Sequence, residues 1–370
     1  MSLRHYLIIG AVAALASYAL TPLVRRFALK HHVVAYPGGR KIHRTPIPEM
    51  GGTALFAGLV LAVLIQIAGE HFFGWKGFLS DTNISTVNLV GIAVGAAVIF
   101  TTGLIDDIFD IPPGAKLAGQ IVAALVVSLC GVNIGFLSNP IDGSKIWLDP
   151  IMCHLLTTFY LVAFANIINL VDGLDGLAAG ISAIAAASLL VLAAGVNQLT
   201  AALIATLIVG VCVGFLRFNF NPASIFMGDE GALLLGFLLG IISLMGVMKT
   251  TAAVALAVPL LIVAVPIFDT LSAIIRRIRG KRPIKEADKG HIHHRLLSRG
   301  LNQRQTVLII YAWSILLAVG GYAVRNTPTH IRTATLIILL LITAALSWFL
   351  GLFEAVHRGD ERPPEGRKKR

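Results

Sequence analysis

Apolar runs of about 18 residues or more recur from one end of this chain to the other, and each is long enough to cross a hydrocarbon core about 30 Å thick. Eleven spans are expected, near 5–24, 50–69, 87–105, 115–134, 151–168, 173–195, 198–217, 230–248, 252–275, 305–324 and 331–353. The first resembles a signal peptide only superficially. Its apolar part is too long, and Arg25 and Arg26 stand where a cleavage site belongs, so a retained helix is expected. Only 13% of the 370 residues are charged, whereas a soluble domain carries about 25%; the expected solvent is lipid. No polar stretch between the runs is long enough for a soluble domain. The expected fold class is therefore all-α: a polytopic integral membrane helical bundle of about 11 spans. Residues 1–355 form its single domain, and residues 356–370 form a basic tail.

Orientation follows from the lysines and arginines. If the loop after the first span is cytoplasmic, 24 of the 30 basic residues fall inside, mostly in 25–44, 276–304 and 358–370. The positive-inside rule then places the N-terminus outside and the C-terminus in the cytoplasm. The same assignment puts 15 of the 19 acidic residues on the cytoplasmic side. Acids contribute little to topology, so this second asymmetry points to a polar site at the inner face.

The net charge of +11 does not indicate a nucleic-acid partner, because most of the basic residues sit in short loops beside apolar runs. Cys130, Cys153 and Cys212 are scattered in or beside apolar segments, without the spacing of a disulfide framework or a zinc site. Walker A and GxGxxG sequences are absent, so a nucleotide would be held by loops and helix ends.

Four stretches carry candidate chemistry. GLIDDIFD ends the third span with Asp106, Asp107 and Asp110. Adjacent carboxylates beside lipid are expensive, and they suit a divalent cation or the proton of an incoming nucleophile; a solvated helix end is the plainer alternative. NIINLVDGLDG places Asn166, Asn169, Asp172 and Asp175 at steps of three, on one helix face, with Gly173 and Gly176 between. Four hard oxygen side chains there suit Mg²⁺ or a hydroxyl-rich, uracil-bearing substrate. FNFNPASIFMGDEG holds Asn219, Asn221, Asp229 and Glu230. Asp229 opens the eighth span, where it could serve an anion or phosphate-bound metal, cap the helix, or do both. RRIRGKRPIKEADKGHIHHRLLSRG (276–300) contains Arg277, Arg282 and three histidines, His291, His293 and His294. A membrane-surface patch explains its arginines but not the histidines, and the histidine spacing does not match zinc; phosphate contact is expected.

These stretches stand here as HRTPIPEMGG (43–52), GLIDDIFDIPPGAKLAGQ (103–120), NIINLVDGLDGLAAG (166–180), FNFNPASIFMGDEG (218–231) and PIFDTLSAIIRRIRGKRPIKEADKGHIHHRLLSRG (266–300). In content and order they resemble the polyprenyl-phosphate N-acetylhexosamine-1-phosphate transferases, over most of the chain. The resemblance implies a helical bundle of ten or eleven spans in a bacterial inner membrane, with its active site in a cytoplasmic cleft. It implies Mg²⁺, or Mn²⁺ in its place, on Asp229 with Asn169 as a second contact. Asp175 would recognise uracil, with Asn166, Asn219 and Gly173 also on the substrate side. Asp106 and Asp107 would face the lipid phosphate. Lys116, Arg277, Arg282 and the three histidines would hold phosphates or sugar, and Asp172 joins Asp106, Asp107 and the histidines in the expected catalytic set.

The implied partners are a UDP-N-acetylhexosamine, a polyprenyl phosphate, the membrane and a second copy in a homodimer, with no nucleic acid. GHIHH and the long basic loop look like the branch acting on UDP-N-acetylglucosamine; the alternative is the phospho-N-acetylmuramoyl-pentapeptide transferase branch. Glu230 and Ala232 depart from the usual GDSGS pattern. An ion-coupled transporter is the competing class, but carriers place ionisable groups near the midplane and often show repeated halves; neither is evident here. The implied chemistry is attack by the lipid phosphate on the sugar-bearing phosphate, directly or through a phosphorylated aspartate.

Overall fold

The computed structural model describes residues 2–35, 46–138, 144–247, 268, 272, 275, 295–297, 299–323, 327 and 329–349. The apolar runs become ten described α-helices. They are α1 Leu3–Lys30, α2 Gly51–Phe73, α3 Thr86–Phe109, α4 Pro113–Leu129 and α5 Pro150–Val171, followed by α6 Leu177–Gly195, α7 Leu199–Asn219, α8 Gly228–Val247, α9 Gln303–Ala323 and α10 Thr329–Phe349. Each corresponds to an expected span. The expected span near 252–275 falls almost wholly outside the described residues, and so do Arg277, Arg282, His291, His293, His294 and the tail. Among the described residues, eight helices are long and apolar enough to cross a membrane; α4 and the apolar part of α10 are shorter. Large apolar side chains such as Leu15, Phe159, Leu341 and Trp348 point outward, as expected of a multi-pass bundle whose solvent is lipid.

The helical bundle expected from the sequence is present, with a little strand added. Two small antiparallel sheets close the loops: β1 (Val34–Ala35) with β2 (Ile47–Pro48), and β3 (Phe136–Ser138) with β4 (Lys145–Trp147). In the second, Phe136 pairs with Trp147 across the ladder, ring centroids 5.4 Å apart, and the Lys145 ammonium lies 4.5 Å from the Phe136 ring centre. Cross-strand aromatic pairs of this kind stabilise short hairpins by roughly 0.2–1 kcal/mol each.

α8 is the hub. Leu233, Leu234, Leu235, Phe237 and Leu239 are all fully buried, as expected of a helix apolar all round. Helices α2, α3, α5, α6 and α7 pack against it. Elsewhere small residues set the spacing. A Cβ at Gly210 would lie 2.4 Å from the Gly10 carbonyl oxygen, and one at Gly214 would lie 2.2 Å from that of Ala14. Glycines four apart thus bring α7 against α1, by the small-residue packing that joins helices in lipid. α1 also continues past the expected end of its span to Lys30. That extension carries Arg25, whose Nε donates to the Ser224 carbonyl at 3.1 Å.

Candidate active site

The C-terminal ends of α3, α5 and α7 meet the N-terminal ends of α2, α4, α6 and α8, and the acidic stretches converge there. At the end of α3, Asp110 takes a left-handed conformation (φ 49°), and its N–H still bonds the Asp106 carbonyl. The Asp106 side chain accepts the Ile111 N–H at 3.1 Å. Pro112 and Pro113 then start α4, with a proline in its first turn where no N–H is missed. This tight reversal turns Lys116 back onto Asp106.

Lys116 stands at the centre of the cluster. Its ammonium lies 3.0 Å from Asp106 Oδ2 and also contacts Asp229 Oδ2 closely. Asn169 Nδ2, from α5, donates to the other Asp229 oxygen at 2.7 Å. One cation therefore bridges two carboxylates from different helices, beside an amide. Among the described residues no three His, Cys, Asp or Glu side chains surround a common point. A divalent cation here would be held by one or two carboxylates, with phosphates and water completing its shell, and that donor set suits Mg²⁺.

Asp107, adjacent in sequence, points elsewhere. Its oxygens accept the N–H groups of Asp229 (2.9 Å) and Glu230 (3.0 Å), so Asp107 caps α8. Of the roles open to Asp229 from sequence, capping thus falls to Asp107, and the Asp229 side chain is left for the cluster. Gly228 (φ +73°) lets Asp107 approach: a Cβ there would sit 2.5 Å from its Oδ2.

Glu230 is fully buried. It accepts the Thr53 N–H at 2.7 Å and the Thr53 hydroxyl at 3.0 Å, capping α2 in turn. The sequence placed Glu230 in the third chemical stretch and as a departure from a pattern, but gave no sign of this cap, because its partner is 177 residues away.

The remaining expected residues divide. Asn166 pairs with Gln120 of α4, donating Nδ2 to its Oε1 at 2.6 Å, and also bonds the Val162 carbonyl; the structure shows it joining two helices. Asn219 is buried, accepts the Gly176 N–H at 3.1 Å and donates to the Ile225 carbonyl at 3.0 Å, so it fastens two turns together. Gly173 is exposed beside the cleft. Asp172 follows α5, and its carboxyl has no hydrogen-bond partner among the described residues. Burial, and then the charges of Asp229, Glu49 and Asp175, push its pKa up to about 8. Asp175 Oδ2 accepts both Asn221 Nδ2 (2.9 Å) and the Ala223 N–H (3.0 Å), leaving Oδ1 without a partner among the described residues. Sequence reasoning also missed Gln303, Arg304 and Tyr311 of α9, which bond to these turns.

The family described as glycosyl transferase family 4 matches residues 89–247, which include Asp106, Lys116, Asn169 and Asp229. A probable undecaprenyl-phosphate N-acetylglucosaminyl 1-phosphate transferase of Bacillus subtilis is 35% identical over 92% of this chain and 91% of its own length. A decaprenyl-phosphate N-acetylglucosaminephosphotransferase of Mycolicibacterium smegmatis is 39% identical over 86% and 82%. A phospho-N-acetylmuramoyl-pentapeptide-transferase of Bacillus cytotoxicus is 31% identical over 85% and 96%. Identity at this level along most of both chains means that this chain belongs to glycosyl transferase family 4.

Proposed function

We propose that this protein transfers N-acetylglucosamine-1-phosphate from UDP-N-acetylglucosamine to a polyprenyl phosphate and releases UMP, at the cytoplasmic face of a bacterial inner membrane. The observation that carries the reading is the Asp106–Lys116–Asp229 bridge with Asn169, at the membrane end of a helical bundle. The relatives named for the same transfer support the donor and the acceptor class. With eleven spans and the N-terminus outside, as the distribution of lysines and arginines suggests, the cluster would lie on the side rich in basic loops.

In the reaction, an oxygen of the lipid phosphate attacks the phosphorus bearing the sugar. The bond to the oxygen bridging the two phosphates breaks, and UMP leaves with that oxygen. Donor and acceptor are both anions, and the carboxylates of Asp106 and Asp229 stand at the cluster with Lys116 between them. Charge repulsion is the main obstacle. A bound Mg²⁺, on Asp229 with Asn169 as a second contact, would supply charge neutralisation and polarisation of the phosphate oxygens. With a divalent cation on Asp229, the Lys116 ammonium would be free to turn toward phosphate. Asp106 positions the acceptor, and the histidines and arginines of 276–295 complete the anion-binding side. Asp107, with both oxygens on backbone N–H groups, is a poor candidate for covalent phosphorylation, which favours the one-step path.

Asp175 fits uracil for a chemical reason. A carboxylate is acceptor-only, and its Oδ1, without a partner among the described residues, matches the imide N–H of uracil, whereas cytosine presents a ring acceptor at that position.

The pentapeptide-bearing donor is the second reading, favoured by the 31% identical relative. UMP release by the purified protein with Mg²⁺ and undecaprenyl phosphate separates the two. Release with UDP-N-acetylglucosamine alone is expected; release with UDP-N-acetylmuramoyl-pentapeptide instead would move the protein to the second reading.

A further inference from the structure

The turn that holds Asp175 is fastened from outside the acidic stretches. Asn221 has two amide hydrogens. One goes to Asp175 Oδ2 at 2.9 Å, and the other to Gln303 Oε1, at the start of α9, at 2.7 Å. The next residue, Arg304, donates Nε to the Asn221 carbonyl at 2.9 Å. Two turns further along α9, the Tyr311 hydroxyl donates to the Gly176 carbonyl, a close contact next to Asp175 in sequence. It fits there because residue 180 is glycine: a Cβ on Gly180 would fall 1.9 Å from the Tyr311 hydroxyl oxygen.

These bonds form a chain of constraint. Gln303 fixes the amide plane of Asn221, Asn221 fixes Asp175 Oδ2, and the orientation of Oδ2 sets where Oδ1 points. Arg304 holds the backbone of the same turn, so the amide cannot relax by moving its main chain. Both partner groups lie in α9, immediately after the basic histidine-containing segment, and neither belongs to a stretch that carries the expected chemistry.

We propose that Gln303 and Arg304 are positioning residues for base recognition, aiming Asp175 Oδ1, which has no partner among the described residues, at the imide N–H of a uracil nucleotide. The proposal rests on the reading of Asp175 as the uracil-recognising group. A side chain that acts by aiming a specificity contact leaves a signature that general packing does not: its loss weakens the matching base and spares a base that never made the contact. It also leaves the lipid substrate untouched, because Asp106 and Lys116 are held by other bonds.

The test is calorimetric titration of UMP and CMP into the full-length protein in detergent, with Gln303→Leu and Arg304→Met as variants. Donor and lipid kinetics and melting temperature are measured on the same preparations. Wild type should prefer UMP. In each variant UMP affinity should fall about fivefold, as the loss of one hydrogen bond implies, and the donor KM should rise in step. CMP affinity, the KM for polyprenyl phosphate, kcat at saturating donor and the melting temperature should stay near wild type. Unchanged UMP affinity in both variants would overturn the positioning role, as would parallel losses in UMP, CMP and lipid terms together with a lower melting temperature. A wild-type protein that binds UMP no better than CMP would instead defeat the nucleoside reading itself, before any variant is considered.

Discussion

Asp229, Lys116 and Asp172 show how one small region handles charge. Lys116 neutralises two carboxylates that would otherwise repel each other, so it occupies the position a divalent cation would need. Lys116→Met should tighten Mn²⁺ binding without nucleotide, by about tenfold if even a fraction of the ammonium's attraction is removed, as read by electron paramagnetic resonance. The same variant should lose transfer. Weaker Mn²⁺ binding in Lys116→Met would contradict the competition. Asp229→Asn keeps the volume and removes the charge; transfer should fall by about 10²-fold or more, with little change in melting temperature. Asp172 gives a pH effect with a definite sign. Its folded pKa of about 8 exceeds the ordinary carboxylate value of about 3.9, so the folded state holds this proton more tightly than the unfolded chain. Stability of the metal-free protein should therefore fall as pH rises from about 4 through about 8, and then level off. Melting curves in chelator should show that slope in wild type and a shallower one in Asp172→Asn.

At the scale of elements, two acid caps tie three helix ends together. Asp107 of α3 caps α8, and Glu230 of α8 caps α2. The first residues of α8 are thereby held on both sides, which fixes the point from which Asp229 projects. Asp107→Ala removes two hydrogen bonds to backbone N–H groups, each worth about 0.5–1.5 kcal/mol. It should lower both stability and metal affinity, whereas an alanine at Asp229, which leaves Lys116 paired with Asp106, should cost less stability and more metal affinity. Equal losses of stability in the two variants would contradict the division of labour. The α1–α7 contact offers a separate test far from the chemistry. A Cβ at Gly214 has no room against Ala14, so Gly214→Ala should cost about 1–3 kcal/mol through overpacking, with the melting temperature as readout and the donor KM near wild type.

For the whole molecule, the helices were the most legible part of the sequence. A run of about 18 apolar residues has few alternatives to a buried or membrane-crossing helix, and all ten described helices lie where such runs lie. The gathering of acids at one face was legible for a related reason, since charge placement beside lipid is costly and therefore informative. Less legible was which acid does what. Asp106 and Asp107 are neighbours of identical chemistry, and only the reversal at Asp110–Pro113 decides that one meets Lys116 and the other caps α8. Contacts between distant segments were not legible at all: Glu230 with Thr53, Gln303 with Asn221 and Arg25 with Ser224 join residues 177, 82 and 199 positions apart, and no local pattern announces them. The short hairpins were missed because two or three residues per strand carry too little alternation to read. The account's central claim is that phosphate travels with the sugar to the lipid. The most direct measurement is to supply UDP-N-acetylglucosamine radiolabelled in its sugar-bearing phosphate to the purified protein with undecaprenyl phosphate and Mg²⁺, and to separate lipid from water. The account predicts label and sugar together in the lipid fraction, with unlabelled UMP in the aqueous one. Sugar in the lipid fraction with labelled UDP left in water, or no lipid-linked sugar at all, would contradict it.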